Sequence, residues 1–263
     1  MSVHHAKNRS ARSAPRGLAF YDLDGTLVDF NLVHAALFIV TNLGEWSGRA
    51  VYLASLAARA PQLYRAEKFD RRLLNVVLFS GLRGVSLDRL RALGEEYCER
   101  VLFDRFYKQA RELLDGNREA GLEPVLVTGS PDFIVAPLAR ELGIADFAAN
   151  RMIASRGIVT GRLMEPVMAS TEKATWCASY AAARGVELRN CWGYADSYYD
   201  LPFLAPLGHP VAVNPDRRLE ATALNRHWPI VRFTREKEPL ISYDNIMRIG
   251  NWFWGSSDGA TGE

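Results

Sequence analysis

Tyr21-Asp22-Leu23-Asp24-Gly25-Thr26-Leu27 sets two aspartates at i, i+2 directly behind an apolar run. In an extended chain that spacing turns both carboxylates to one side, and Gly25 permits a turn that a residue with a Cβ would resist. Two acids that close repel, so they coexist only if a cation sits between them or one keeps a proton. Either answer is chemical: a nucleophile beside an acid, or a pair of metal ligands. The structural alternative is an ordinary turn, where Asp and Gly are common.

The segment that must position these acids, Leu18-Ala19-Phe20-Tyr21, reads as a buried strand of a parallel sheet. Function in open parallel sheets gathers beyond the strand C-termini. Three later segments have the same character. Pro124–Val127 reads as a strand running into Thr128-Gly129-Ser130-Pro131, with a helix pattern over Phe133–Leu142. A hydroxyl and exposed amides ahead of a helix suit a phosphate. Ser170-Thr171-Glu172-Lys173 opens a helix carrying Trp176 and Tyr180, which sets Lys173 in the first turn. A cation there opposes the helix dipole unless an anion compensates. Cys191–Ala195 reads as a strand ending in Asp196, with Asp200 four residues on. Taken singly, these are also a capped turn, a solvated lysine and an N-cap aspartate; their order is what the structural reading leaves unexplained.

In that order the four segments resemble the signatures of the haloacid-dehalogenase-like phosphohydrolases, across about Leu18 to Pro215. The resemblance implies an α/β fold with a doubly wound, mostly parallel sheet. It implies Asp22 as nucleophile and Asp24 as proton donor and acceptor, with Thr26, Thr128, Gly129 and Lys173 at the phosphate. It implies Mg2+ on Asp22, the Asp24 backbone carbonyl and Asp196, with Asp200 either a direct ligand or the holder of a metal-bound water and of Lys173. Asp24 favours a phosphatase over a dehalogenase, because haloacid-processing relatives lack this second acid.

Asp22 and Thr128 are 106 residues apart, far more than a crossover between parallel strands requires. Helix patterns over Leu32–Asn42, Ala50–Tyr64, Arg71–Phe79 and Leu87–Lys108 fill the gap. They predict an all-α cap at 31–115 set into a core of 17–30 and 116–245, with a basic tail at 1–16 and a C-terminal tail at 246–263. A cap joined there is similar to the phosphoserine-phosphatase-like branch of the family. Arg151–Leu163 predicts a hairpin turning at Arg156-Gly157, and Val211–Val213 and Pro229–Phe233 predict two further strands. Phosphoserine phosphatases carry a Glu where this chain has Asn31 and an Asn where it has Tyr199, which speaks against phosphoserine. Asn31, Arg71, Arg72 and Asn75 are candidate substrate contacts from the cap, although Arg71 and Arg72 also read as a solvated helix face.

The 263 residues, 48% of them apolar, suffice for a core and a cap. The net charge of +2 hides a split: residues 1–16 hold four Lys/Arg and no acid, so the remainder carries 28 basic against 30 acidic residues. Nucleic acid is therefore not an expected partner. The basic tail lacks an apolar core, so it does not read as a secretory signal. Cys98, Cys177 and Cys191 are dispersed and read as reduced core residues, which with the absence of a signal points to the cytoplasm. The five histidines form no ligand pattern. Leu32–Val40 is strongly apolar but too short to span a bilayer. Three functions fit: a Mg2+-dependent phosphomonoesterase on a small phosphorylated metabolite, a lipid-phosphate phosphatase at a membrane surface, favoured by that helix and by Trp252-Phe253-Trp254, or a non-catalytic phosphate-binding module.

Overall fold

The computed structural model describes residues 16–30, 32–43, 54, 58–59 and 70–234. Expectations for Asn31, for the helix over Ala50–Tyr64 and for both tails fall wholly or mostly outside these residues. Six parallel strands form one sheet in the order β3-β2-β1-β6-β7-β8. They are β1 (Gly17–Tyr21), β2 (Leu122–Pro131), β3 (Asp146–Asn150), β6 (Cys191–Ala195), β7 (His209–Val213) and β8 (Ile230–Val231). β4 (Met152–Ser155) and β5 (Ile158–Leu163) form a separate antiparallel hairpin. The last strand is shorter than the expected Pro229–Phe233.

Alternation along each strand assigns its residues to two cores. Leu18, Phe20, Val125, Val127, Cys191 and Ala212 pack with Cys177, Tyr180, Phe203 and Leu219 on one face. Ala19, Tyr21, Leu126, Tyr194, Val211 and Val213 pack on the other with Leu114, Ile134 and Leu138. Both faces are thus buried, which is why these strands read as unbroken apolar runs. The chain order reverses at β1, whose two neighbours are β2 and β6. That reversal opens the crevice in which doubly wound sheets bind ligands.

Between β1 and β2 lie α1 (Leu32–Asn42), α2 (Arg71–Ser80), α3 (Leu87–Tyr97) and α4 (Lys108–Glu119). α3 continues as a π-helical turn over Cys98–Leu102 and ends at Arg105. The single helix expected over Leu87–Lys108 is therefore broken: Phe106 is extended and bridges to Val28. The chain leaving the insert pairs there with the chain going into it, through Asp29 N to Arg105 O (2.9 Å) and Tyr107 N to Leu27 O (3.0 Å). The insert end read at 115 falls inside α4, which follows this neck and packs on β2. Leu74, Leu78, Leu90 and Leu93 of the insert join the same buried cluster as Tyr21 and Ile134 of the core.

The remaining helices are α5 (Asp132–Glu141), α6 (Thr171–Ala183), α7 (Leu201–Leu204) and α8 (Arg217–Asn225). The hairpin turns as expected, with Arg156 and Gly157 both at positive φ, the conformation of a type I′ turn. Its edge also bonds to the insert: Val159 exchanges backbone hydrogen bonds with Val85 and Gly84, and Leu87 N donates to Gly157 O. Cys98, Cys177 and Cys191 are free and buried. No helix among the described residues is long and apolar enough to cross a membrane.

Candidate active site

Asp22 lies one residue past β1, and its amide donates to Tyr194 O (2.9 Å), so the sheet's pairing carries the backbone to the carboxylate. The chain then folds over Leu23, whose carbonyl accepts from Thr26, Leu27 and Val28. Gly25 sits at φ +80°, and a Cβ on it would lie 2.3 Å from Asp196 Oδ2. Glycine is therefore required twice, for the turn and for the close approach of Asp196.

Lys173, in the first turn of α6, reaches back under this turn. Its Nζ donates to Asp22 Oδ1 and Asp200 Oδ1, each at 2.7 Å, and all three residues are at least nine-tenths buried. Burial alone would lower the lysine's pKa, but the two carboxylates outweigh it and hold the ammonium above its ordinary range. The misplaced cation at the helix start is thus compensated as its position required.

The acids are forced toward protonation. Burial raises Asp22, with Lys173 opposing and Asp24 adding to the rise. Burial, reinforced by the charges of Asp22 and Asp200, lifts Asp196 well above the usual carboxylate range. Burial and Asp22 push Asp200 up to about 6 against the pull of Lys173. Carboxylate oxygens of Asp22, Asp196 and Asp200 lie within 4.8 Å of one another, the one such cluster of His, Cys, Asp or Glu among the described residues. Fully ionised, these three and Asp24 carry four negative charges against the positive charges of Lys173 and Arg71. The excess of two, presented by hard oxygens, fits a Mg2+-like ion. The Asp24 carboxylate is not in the cluster; its place in the expected metal set was through the backbone carbonyl.

Asp24 instead faces β2. Ser130 Oγ donates to its Oδ2 at 2.6 Å, and the Thr128 hydroxyl also hydrogen-bonds it. Burial nevertheless holds its pKa above the ordinary range. Thr128 is fully buried and accepts from Ser130 N (3.0 Å), so here its hydroxyl serves Asp24 and the loop. Ser130 was missed in the sequence reading, yet strand alternation beyond Thr128 puts it on the same side. Asn150, also missed, pins the loop: its Nδ2 donates to Gly129 O (2.7 Å) while its Oδ1 accepts from Met168 N (2.8 Å). Thr26, expected at the phosphate, is fully buried and donates to Asp196 Oδ1 (3.3 Å), which makes it a support for that acid.

From the insert, α2 supplies Arg71 and Asn75, one turn apart. The Arg71 guanidinium lies 5.4 Å from the Tyr199 ring centroid, and its charge is felt by Asp24, Asp196 and Asp200. It is not a solvated face. Asn75 is buried, and its Nδ2 would be 2.9 Å from a Cβ on Gly129. Arg72 turns away, exposed and paired with Glu165 (2.8 Å). Asn31 lies outside the described residues.

Residues 19–205 match the family model of the haloacid dehalogenase-like hydrolases. The chain is similar to the phosphoserine phosphatase SerB1 of Mycobacterium tuberculosis (strain ATCC 25618 / H37Rv), with 37% identity over 64% of this chain and 55% of that protein. It thus spans little more than half the length of that relative. It is 27% identical to the histidinol-phosphatase of Neisseria meningitidis serogroup C, over 83% of this chain and 99% of that one. Among solved structures it resembles a protein of unknown function from Bordetella pertussis Tohama I, with a TM-score of 0.71, 26% identity, and 82% and 98% of the two chains covered.

Proposed function

The chain belongs to the haloacid dehalogenase-like hydrolases, and from that premise we propose that it hydrolyses phosphomonoesters through a phosphorylated Asp22. The observation that carries the reading is Lys173, buried between Asp22 and Asp200 beside a third acid with which both cluster. Asp22 attacks phosphorus in line and takes the phosphoryl group, and water then releases it in a second displacement. Asp24, which burial favours in its protonated form, gives the leaving oxygen a proton and afterwards takes one from the attacking water. Lys173 spends two of its three N–H bonds on the aspartates, leaving one for a phosphoryl oxygen. The Gly129 amide, with the Thr128 hydroxyl turned from Asp24 to the phosphoryl group, completes that cradle just ahead of α5. Mg2+ held by Asp22, Asp196 and the Asp24 carbonyl, with Asp200 at its edge, would supply the positive charge that an anionic nucleophile needs beside an anionic ester.

The substrate class we assign is a small phosphorylated metabolite. Relatives named for phosphoserine and for histidinol phosphate differ in leaving group, and the family's four signatures concern the phosphoryl end. Among the described residues, α1 and α2 expose four large apolar side chains, Val33, Leu37, Leu73 and Val76, an extent ordinary for a monomer's surface and no lipid-binding face by itself. The test is turnover of an aryl phosphate with Mg2+. Asp22→Asn is expected to lower kcat by roughly 10³-fold or more while the fold is kept. Turnover retained in that variant would sink the mechanism.

A further inference from the structure

The loop that carries Asp196 and Asp200 is held from one side by a residue outside the four signatures. Asp216 stands at the end of the Asn214-Pro215-Asp216 turn after β7. Its amide donates to Asp196 O at 2.8 Å. Its Oδ2 accepts from Tyr198 N at 2.8 Å and from Ser197 Oγ at 3.4 Å. Its Oδ1 accepts from Arg218 N (2.9 Å) and Leu219 N (2.8 Å), which caps α8. Capping alone would explain Oδ1, because one side-chain oxygen suffices for an N-cap. It does not explain Oδ2. Both that oxygen and the Asp216 amide grip the loop over 196–198, between the two acids of the cluster. Leu219, fully buried in the core beneath the sheet, anchors the helix from which this grip is exerted. Arg218 closes over the loop, its guanidinium 3.9 Å from the Tyr198 ring centroid.

We infer that Asp216 is a positioning residue for the metal-binding loop: it fixes the backbone between Asp196 and Asp200 so that their carboxylates face one cation. The inference rests on the reading of those acids as metal ligands. Residues that orient metal ligands typically contribute ten- to a hundredfold in affinity, and Asp216 acts here through the backbone.

Asp216→Ser separates the two jobs. Serine keeps an oxygen for the α8 cap but has none to reach Tyr198 and Ser197. Mg2+ binding to the full chain is measured by calorimetric titration, together with the melting temperature before metal is added. Asp216→Ser is expected to melt within a few degrees of wild type without metal and to bind Mg2+ about tenfold more weakly or worse. Binding equal to wild type would overturn the inference. Should the serine variant not fold, Ser197→Ala leaves Asp216 in place and removes the hydroxyl that donates to Asp216 Oδ2 (3.4 Å) and accepts from Tyr199 N (3.4 Å). It is then expected to weaken Mg2+ binding a few-fold, and an unchanged affinity overturns the inference equally. A wild-type chain that binds no Mg2+ would instead overturn the metal reading itself, and this inference with it.

Discussion

Asp22 and Asp24 leave β1 two residues apart and meet different chemistry. Asp22 is tied to Lys173, whereas Asp24 receives hydroxyls from β2, a division of partners that suits a nucleophile and a proton carrier. Arg71 is the second cation of the site, its charge felt by Asp24, Asp196 and Asp200. Arg71→Ala is expected to raise KM for an aryl phosphate about tenfold, roughly 1.4 kcal/mol, with a smaller effect on kcat. An unchanged KM in steady-state kinetics would remove Arg71 from substrate binding. The aspartates and Lys173 could be read from sequence because each interrupts a local pattern, an apolar run or a helix start. Arg71 was a candidate that sequence left open beside Arg72, since a pair of arginines at a helix start looks the same whether it faces solvent or a crevice 47 residues away in sequence. Ser130 was legible in principle: β2 stays extended through Pro131, so the alternation that turns Thr128 toward Asp24 turns Ser130 the same way.

The hairpin and the insert are joined by backbone hydrogen bonds between Val159 or Gly157 and residues 84–87. Gly161 of β5 is at φ +77°, and a Cβ there would lie 2.7 Å from Ser80 O at the end of α2. Gly157 at the hairpin tip has a similar φ of +78° but nothing within 4 Å of such a Cβ. Gly157→Ala should therefore cost about 1–2 kcal/mol of strain alone. Gly161→Ala adds the clash with α2 and should cost about 2–4 kcal/mol. Urea denaturation of the two variants compares them, and equal losses would show that the hairpin does not bear on α2. Most helices and strands were legible from apolar spacing. The break at Phe106 was not, because no Gly or Pro marks it in the run from Leu102 to Lys108. Pairing with Val28, distant in sequence, extends the chain there.

Across the whole molecule, the site's acids make stability depend on cation and pH together. The folded carboxylates hold protons above the unfolded value near 4, Asp200 up to about 6. Between those values the folded chain binds more protons than the unfolded one, so metal-free stability falls as pH rises through that window. Mg2+ replaces those protons, so its effect runs the other way. The rise in melting temperature on adding Mg2+ should be larger at about pH 8 than at about pH 5. A shift that is equal at both, or larger at the lower pH, would contradict the charge balance drawn from the cluster. That both sheet faces are buried was legible from the apolar strands. That the insert's leucines share one cluster with the sheet was not, since helix periodicity shows which face is apolar but not what covers it.

The central place of β1 also has a meaning in time. Leu18 pairs with Glu123 on one side and with Cys191 on the other, the second partner 173 residues later in the chain. At about 5–20 residues per second of synthesis, β1 waits roughly 10–35 s for its last neighbour. Even after β2 has been made, one edge of β1, the strand that carries the fully buried Phe20 and Tyr21, stays unpaired until β6 follows. A nascent chain stalled before residue 191 should therefore bind a chaperone through its first strand, and one released after residue 213 should not.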